Sequence, residues 1–459
     1  MYVACSPGIA ALARGVLGNL AAPSFAPAGV PAVTGKTNGS RGAAERSVIL
    51  RGGPILTVDE ACPVAEALAI RGSRILGVGS ATDVKRHFTA TTEILDLEGR
   101  AVLPGFVEPH VSVLGTALAG ADSTAAADLL GEDPDRVAEL CGAALRDFAA
   151  RGCTTVYDTG IGRLGGAAEH ELLRKLARAP GAPVRVRGAL VPELASALGA
   201  APAAGDEHYG IVGIAYWADG SIPDLAGALR EPYLGGRGTG QLNYEDAELR
   251  DALRAWHRAG WQLVVHAHGD RANEQVLSCF EQILAEGSPA QILHRIEHFT
   301  LASDEQTARV AALGLALSHT IDQIYFCGEA LRDEVLGPER AARIHALLRD
   351  VEHEICSSCH SGSTVDPLLS MRTAMTRLMR DSDDVLGPFQ QLDLAQALRA
   401  VTRNPARQVL LGDRVGVLRA GMLADLVVLD RDPREIAPER LHELQVLETW
   451  LGGRRQRWE

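Results

Sequence analysis

The chain has 459 residues, 46% of them hydrophobic, and a formal net charge of −13 at pH 7. A chain of this length and apolar content can bury one large core and a smaller one, so one large or two modest domains fit. The negative charge argues against nucleic acid or an anionic membrane surface as the main partner.

Residues 1–45 are rich in Ala, Gly, Pro and Ser, and Arg14 is the first basic residue. A secretory signal needs a basic start and an unbroken apolar core of about 7–15 residues, and this stretch has neither. We therefore expect residues 1–45 to be a disordered extension, or the product of a start codon placed too far upstream.

The eight cysteines are scattered along the chain without the spacing of a disulfide framework. A reduced compartment is therefore favoured over a secreted one. No run of residues approaches the roughly 20 apolar residues of a membrane span. Together these features predict a cytoplasmic protein.

Both ends of the chain carry short apolar strand patterns. Between residues 46 and 103 such patterns occur at 48–50, 53–58, 67–70 and 74–78, separated by turn residues. Residues 401–459 begin with a helical segment and continue with strand patterns at 423–429 and 444–453. We predict that the two ends pair into one composite β-sandwich domain, because two or three short strands alone are marginal in water.

The middle of the chain, residues 104–400, alternates strand and helix patterns. Apolar strands are predicted at 154–157, 184–191, 210–217, 262–266, 292–297, 313–318 and 354–357. Helices are predicted at 135–151, 244–259, 272–284 and 304–312. With the strand that precedes His110 this makes about eight βα units, which predicts a (β/α)8 TIM barrel. The alternative, an open doubly wound sheet, lacks its expected glycine-rich turn after the first strand.

Polar motifs follow five of the predicted strands. They are residues 103–112 (LPGFVEPHVS), 216–221 (YWADGS), 266–270 (HAHGD), 295–298 (RIEH) and 356–360 (CSSCH). In order and spacing these motifs resemble the amidohydrolase superfamily, specifically its YtcJ-like branch of metal-dependent hydrolases with a composite β domain. The resemblance extends from about residue 48 to residue 455.

The resemblance implies a set of metal ligands, and this chain holds only part of it. Such proteins place His-x-His after strand one and a lysine or glutamate after strand four. Here His110 matches the first histidine, but Ser112 stands at the second, and a hydroxyl is a poor zinc ligand. Ala215 occupies the place of the lysine. A carboxylysine-bridged pair of metal ions is therefore not expected.

The remaining ligand positions lie after strands five, six and eight. His266 and His298 match the histidines of strands five and six, although each could instead be a hydrogen-bonded core residue. Residues 366–368 (DPL) resemble a short motif of the family. Counting back from this motif places Cys359 where the strand-eight aspartate should be, with His360 beside it. Cys359 is then a thiolate ligand, a structural cysteine, or a nucleophile activated by His360.

These observations predict a hydrolase that cleaves a non-peptide carbon–nitrogen bond, such as an amide, cyclic amide or formamide. A single zinc ion is expected on His266 and His298, with a third ligand from Cys359, His360, His110 or His268. Asp270 or His360 is expected to act as the general base. Glu297 and Asp270 are also positioned in sequence to orient the imidazoles.

The alternative is a metal-free or non-hydrolytic relative, such as a lyase, cyclase, isomerase or binding protein, that has lost the dinuclear centre. The three changed ligand positions favour it. In either case the expected partner is a small-molecule substrate, with no nucleic acid and no membrane, and a homodimer is left open as the assembly.

Overall fold

The computed structural model describes residues 46–119, 123–287, 292–362 and 364–456, so the expectation for residues 1–45 lies outside the described residues. The strands are β1 (Ser47–Leu56), β2 (Val64–Arg71), β3 (Arg74–Gly79), β4 (Glu93–Asp96), β5 (Ala101–Pro104), β6 (Phe106–Val111), β7 (Cys153–Ile161), β8 (Arg185–Leu190), β9 (Ala204–Gly205), β10 (Tyr209–Trp217), β11 (Gln262–Ala267), β12 (Arg295–His298), β13 (Ala316–Thr320), β14 (Ser357–His360), β15 (Leu426–Leu429), β16 (Val446–Leu451) and β17 (Arg454–Arg455).

The described ranges contain the following α-helices, most of them between strands of the middle segment. They are α1 (Ala81–Lys85), α2 (Val113–Ala117), α3 (Ser123–Glu132), α4 (Pro134–Ala150), α5 (Gly166–Ala177), α6 (Pro192–Leu198), α7 (Asp246–Arg258), α8 (Asp270–Ala285), α9 (Asp304–Ala312), α10 (Asp322–Ala330), α11 (Pro338–Ala341), α12 (Leu347–Glu352), α13 (Pro367–Thr376), α14 (Leu394–Val401) and α15 (Arg403–Gln408).

The two ends of the chain build one sheet. Its strand order is β17-β16-β15-β5-β1-β2-β3, with β4 paired beside β1. The junction is the antiparallel pairing of β5 with β15, where Leu103 lies opposite Val427. One face is apolar, and Leu50, Leu426 and Trp450 are buried in its core. The predicted composite β domain is confirmed, while the domain bounds 46–103, 104–400 and 401–459 stay a prediction.

The middle of the chain forms a nearly closed parallel barrel, which confirms the predicted fold class. Its strand order is β14-β13-β12-β11-β10-β8-β7-β6. Strands β6 and β14 lie side by side at the seam, where Ser361 donates from its N–H and its hydroxyl to the carboxyl oxygens of Glu108. In a barrel of this kind the carboxyl ends of the strands meet at one face, where functional side chains collect.

Several barrel elements begin or end where local sequence signals place them. Helix α9 starts after Ser303, whose hydroxyl accepts the N–H of Gln306 while the Gln306 amide accepts the N–H of Ser303. This reciprocal capping box matches the predicted start. The last strands differ from prediction: β12, β13 and β14 each begin three residues later than expected. Left-handed residues, Gly314 at φ +64° and Glu354 at φ +57°, extend the turns before β13 and β14.

A buried ion pair joins the barrel to the β domain. Arg185, in β8, donates from Nε and Nη2 to the two carboxylate oxygens of Asp425 at 3.0 Å each. Both side chains are 1% exposed. The Oδ1 atom of Asp425 also accepts the N–H of Gly452 at 2.7 Å. A buried pair that loses one partner leaves an uncompensated charge in the interior.

We therefore expect Asp425→Ala to lower the free energy of unfolding by up to about 3–5 kcal/mol, because the buried Arg185 guanidinium would keep only the partly exposed Glu207 as an acidic partner. Urea unfolding followed by circular dichroism measures this change. The matched control is Glu139→Ala, which breaks an exposed pair with Arg136 and should cost less than about 1 kcal/mol. Equal losses in the two variants would contradict the role assigned to the buried pair.

Candidate metal centre

Strand register decides which side chains face the barrel interior. Across the parallel strands, Trp217 lies beside His266, His266 beside Glu297, and Glu297 beside Ser318. Neighbours in register share a face of the sheet, and successive residues of one strand alternate between faces. Trp217, His266 and Glu297 therefore form one row near the carboxyl ends of β10, β11 and β12.

Five histidines, His266 of this row among them, collect here in two groups that share His298. In the first group are His266, His268 and His298, and in the second are His110, His298 and His360. Within each group the ligand atoms all lie within 4.8 Å of one another. The His268 and His298 rings stack at 4.2 Å between centroids, and the His110 and His360 rings stack at 4.5 Å.

His298 reaches both groups because of its backbone conformation. It has φ +72° and is followed by Phe299 at φ +43°, so β12 ends in two left-handed residues without glycine. Such residues cost of order 1–3 kcal/mol each and cluster at functional sites. The conformation lets Nδ1 of His298 bond to the hydroxyl of Thr320 at 2.5 Å.

The Glu297 carboxylate fixes the tautomer of His110. Its Oε2 lies 2.6 Å from Nδ1 of His110, and its Oε1 accepts from Nε of Arg295 at 2.5 Å. Burial alone would raise the pKa of Glu297, but Arg295 and His110 outweigh it and hold the pKa below its usual value. A carboxylate only accepts, so Nδ1 of His110 carries a proton. The hydroxyl of Thr159, 3.2 Å from Nε2 of His110, lies at the other nitrogen of the ring.

Hydroxyl groups orient the other imidazoles. The Thr320 hydroxyl lies between Nδ1 of His298 and Nε2 of His360, at 2.7 Å from the latter. Nδ1 of His360 bonds to the hydroxyl of Ser318 at 2.8 Å, and Nδ1 of His268 bonds to the hydroxyl of Thr300 at 2.7 Å. Supporting partners of this kind set which ring nitrogen is left for a ligand. The sequence patterns did not indicate these three hydroxyls, although Thr320 is the last residue of β13.

The first histidine group has the chemistry that a divalent metal requires. Burial and the neighbouring imidazoles lower the pKa of His266 and His298 well below the usual value, and burial lowers that of His268 to about 3. All three rings are therefore neutral, the form that binds metal. Nε2 of His266 is buried without a hydrogen-bond partner among the described residues. An orphaned imidazole nitrogen beside two others fits a bound cation.

The structure places Cys359 away from these groups. Cys359 lies in register with His319, and both belong to the outward face of their strands. His319 bonds there to Asp350 of α12, and Cys359 is buried in the main apolar core. Burial raises the pKa of its thiol. The strand-eight side chain that faces the barrel interior is His360, one residue later, so the expected thiolate ligand is not brought to the histidines.

Three other predicted positions are occupied as follows. Ser112 caps α2, where its hydroxyl accepts the N–H of Gly115 at 3.1 Å. Ala215 is buried among the apolar side chains of the barrel interior. Asp270 is the first residue of α8, and its Oδ1 accepts the N–H of Arg230 at 2.9 Å. None of the three belongs to either histidine group of the described chain.

A second buried carboxylate, Asp219, shapes the strand-five motif. Its oxygens accept the N–H groups of His268, Gly269 and Ala228 at 2.8–2.9 Å. Burial raises the pKa of Asp219 to about 7, and the three N–H groups oppose that rise. These bonds fix the turn between β11 and α8 and with it the backbone of His268.

A third carboxylate organises the loop after β7. Oε2 of Glu169 accepts the N–H groups of Gly162, Leu164 and Gly165, while its Oε1 is buried without a partner among the described residues. Gly162 has φ +95°, a conformation that a side chain would strain. Burial raises the pKa of Glu169 to about 7, and the charge of nearby Asp158 adds to that rise. This loop lies beside Thr159, the partner of His110.

Clustered neutral imidazoles thus lie at the carboxyl ends of the barrel strands, which is the face where (β/α)8 barrels carry their functional sites. The sequence model of the amidohydrolase family matches residues 113–456 of this chain. The chain belongs to this family, which confirms the resemblance described above. His110 stands just ahead of the matched range.

Two curated relatives match part of the chain. The N-substituted formamide deformylase of Arthrobacter pascens is 30% identical over 213 residues, which cover 46% of this chain and 39% of that protein. The putative amidohydrolase YtcJ of Bacillus subtilis is 28% identical over 250 residues, covering 52% of this chain and 45% of the relative. The matched stretches thus span less than half the length of these relatives.

A solved structure shows the same fold. An uncharacterized metal-dependent hydrolase from Pyrococcus horikoshii superposes with a TM-score of 0.73 at 19% identity, over 85% of this chain and 99% of that one. Within the described ranges, no helix is long and apolar enough to cross a membrane.

The buried Glu169 generates a prediction about pH. Unfolded, this carboxyl ionises near 4.5, whereas in the folded protein its pKa is about 7. Between these values the folded state keeps a proton that the unfolded state has lost, so the free energy of unfolding falls as pH rises. Glu169→Gln should reduce this fall, because the amide oxygen can accept the same three N–H groups without a charge.

Urea unfolding of both proteins between pH 4.5 and 8 measures the difference in slope. The control is Glu171→Gln on the same helix, an exposed residue whose pKa is lowered by its hydrogen bond to Arg174, so it titrates below this window. A Glu169→Gln variant with the wild-type slope would contradict the assignment.

Proposed function

We propose that the chain is a hydrolase of a non-peptide carbon–nitrogen bond in a small molecule, acting through one zinc ion held by His266, His268 and His298. The observation that carries the proposal is the first histidine group: three neutral imidazoles, one of them with an orphaned Nε2. Three histidines are a known zinc ligand set that leaves a fourth position for water or substrate.

The second histidine group is less suited to hold the ion. Both ring nitrogens of His360 bond to hydroxyls, and Nδ1 of His110 is committed to Glu297. In the first group, among the described residues, two ring nitrogens bond to hydroxyls: Nδ1 of His298 to Thr320 and Nδ1 of His268 to Thr300. A zinc ion bound there would polarise a carbonyl oxygen and lower the pKa of bound water.

The chain's own residues supply orientation and proton acceptance. Thr300 and Thr320 hold the rings of His268 and His298 by their Nδ1 atoms. Burial, together with the charges of His110 and Arg295, lowers the pKa of His360 well below its usual value, so the ring is neutral. We propose His360 rather than Asp270 as the general base, because the His360 ring lies beside His110 and His298, whereas Asp270 is bound at the start of α8.

The substrate class is narrowed by the relatives. The name of the Arthrobacter pascens protein denotes action on N-substituted formamides. A formamide or another simple amide is therefore the first substrate class to test on this chain. We also propose a cytoplasmic location for it. The competing proposal is that the chain works without a metal ion. Ser112 and Ala215, which stand at two ligand positions of the family resemblance, favour it. The zinc measurement below decides between the two proposals.

We expect the purified chain to hold about one zinc ion, measured by plasma mass spectrometry. His266→Ala, His268→Ala and His298→Ala should each lose most of it, because each removes one of three ligands. Thr300→Val should weaken zinc affinity by about 10- to 100-fold, the cost of losing a partner that orients a ligand. Turnover of N-benzylformamide should fall in parallel.

The matched controls are Cys359→Ser and Ser112→Ala, which should keep their zinc. Absence of zinc from the wild-type chain would favour the metal-free relative. If His268→Ala keeps its zinc and Cys359→Ser loses it, the third zinc ligand is Cys359 and not His268.

A further inference from the structure

One arginine at the barrel mouth stands apart from the paired arginines of this chain. Arg163 follows β7, and its side chain is exposed to solvent. In the described part of the chain no carboxylate lies within 4.0 Å of its guanidinium and no hydrogen bond to it is found. The guanidinium lies over the indole of Trp217, with Cζ 5.3 Å from the ring centroid. By contrast, Arg295 and Arg185 are bound to carboxylates.

The position of Trp217 brings Arg163 to the histidines. Trp217 ends β10 and lies in register with His266, so the two side chains share the interior face. The indole reaches across to the end of β7, where Gly160 leaves room for it: a Cβ at this position would lie 3.3 Å from two indole carbons.

The backbone of the loop that carries Arg163 is held by hydrogen bonds to the Glu169 carboxylate. The Glu169 carboxylate accepts the N–H groups of Gly162 and Leu164 on either side of Arg163, and Arg163 itself donates its N–H to Gly160. The backbone of the loop is therefore held, and the guanidinium is placed by its contact with the indole of Trp217. A planar guanidinium with its donors unused is the preferred partner of a carboxylate.

The nearby acidic groups do not neutralise Arg163. The carboxylate oxygens of Asp158 accept the N–H groups of Val113 and Gly160, and Oε2 of Glu169 accepts the N–H of Gly165. Both carboxylates attract the Arg163 guanidinium through space, but among the described residues neither lies within 4.0 Å of it. In a chain of net charge −13, an unpaired cation at the site is a local attraction for an anion.

We propose that Arg163, stacked on Trp217 beside His266, binds a carboxylate of the substrate. The inference rests on the proposed hydrolase function and narrows it: the substrates are N-formyl or N-acyl amines that also carry a carboxylate. Trp217 provides the apolar platform for the guanidinium, and the scissile amide lies toward His266.

The test compares two probes that differ only in the carboxylate, N-formylphenylalanine and N-formylphenethylamine, on the full chain. Calorimetry should show that the wild type binds the acid about tenfold to hundredfold more tightly, the effect of one charged hydrogen-bonded pair. Arg163→Gln should remove this preference without changing affinity for the neutral probe. Arg163→Lys should keep part of it, because the charge remains but the two-pronged geometry is lost.

The control is Arg178→Gln, which removes another arginine placed over an aromatic ring, that of Tyr209, where it is paired with Asp206. It should keep the wild-type preference. A third probe, N-formyl-2-aminoethyl phosphate, distinguishes the anion: tighter binding of this probe than of the acid would overturn the carboxylate assignment. Equal affinity of the wild type for acid and neutral probe would overturn the proposal as a whole.

Binding and turnover separate the two proposals. If Arg163 governs affinity for the acid but the zinc-loaded chain hydrolyses neither probe, the hydrolase function fails and the Arg163 subsite stands. If both probes are hydrolysed with equal kcat/KM, and Arg163→Gln changes neither value, the subsite fails and the hydrolase function stands.

Discussion

The Glu297 carboxylate is the interaction on which the barrel mouth depends. It is buried between the guanidinium of Arg295 and the imidazole of His110, and it accepts a hydrogen bond from each. Arg295 also donates to the carbonyl of Pro109, so strand β12 is tied across the interior to strand β6. Isolated burial of any one of these groups would be costly, and their mutual pairing offsets that cost. The orientation of His110 and the approach of β6 both follow from this arrangement.

Five histidines lie together at the barrel mouth although half of the ligand positions expected from the family resemblance hold other residues. His266 and His298 stand where the family resemblance places them, but their third neighbour is His268, two residues along the same strand motif. Asp219 fixes the backbone at His268 through its N–H, and Thr300 fixes the ring through Nδ1. The imidazole of His268, one residue past the end of β11, thus stands beside His266 and His298 in a chain with Cys359 and Ala215 at the aspartate and lysine positions of the resemblance.

Strand eight shows how one residue of register alters a chemical interpretation. Sequence spacing assigned the aspartate position to Cys359, whereas the pleat turns Cys359 to the helices and His360 to the interior. The strand begins at Ser357 because Glu354 adopts a left-handed conformation and extends the preceding turn. A shift of one residue moves a side chain to the opposite face of a sheet, so a count from a distant landmark could not decide between neighbours.

The sequence by itself determined the architecture. Apolar strand patterns alternating with helices predict the barrel, and unpaired strands at both ends predict the composite sheet, because period and length are local properties of the chain. It also located His110, His266 and His298 at strand ends. Only the tertiary structure decided that Cys359 lies outside the site, that Thr320 bridges His298 and His360, and that Arg163 reaches Trp217. These relations join residues from different strands and loops, and their distances depend on register, barrel closure and positive φ values that no local pattern encodes.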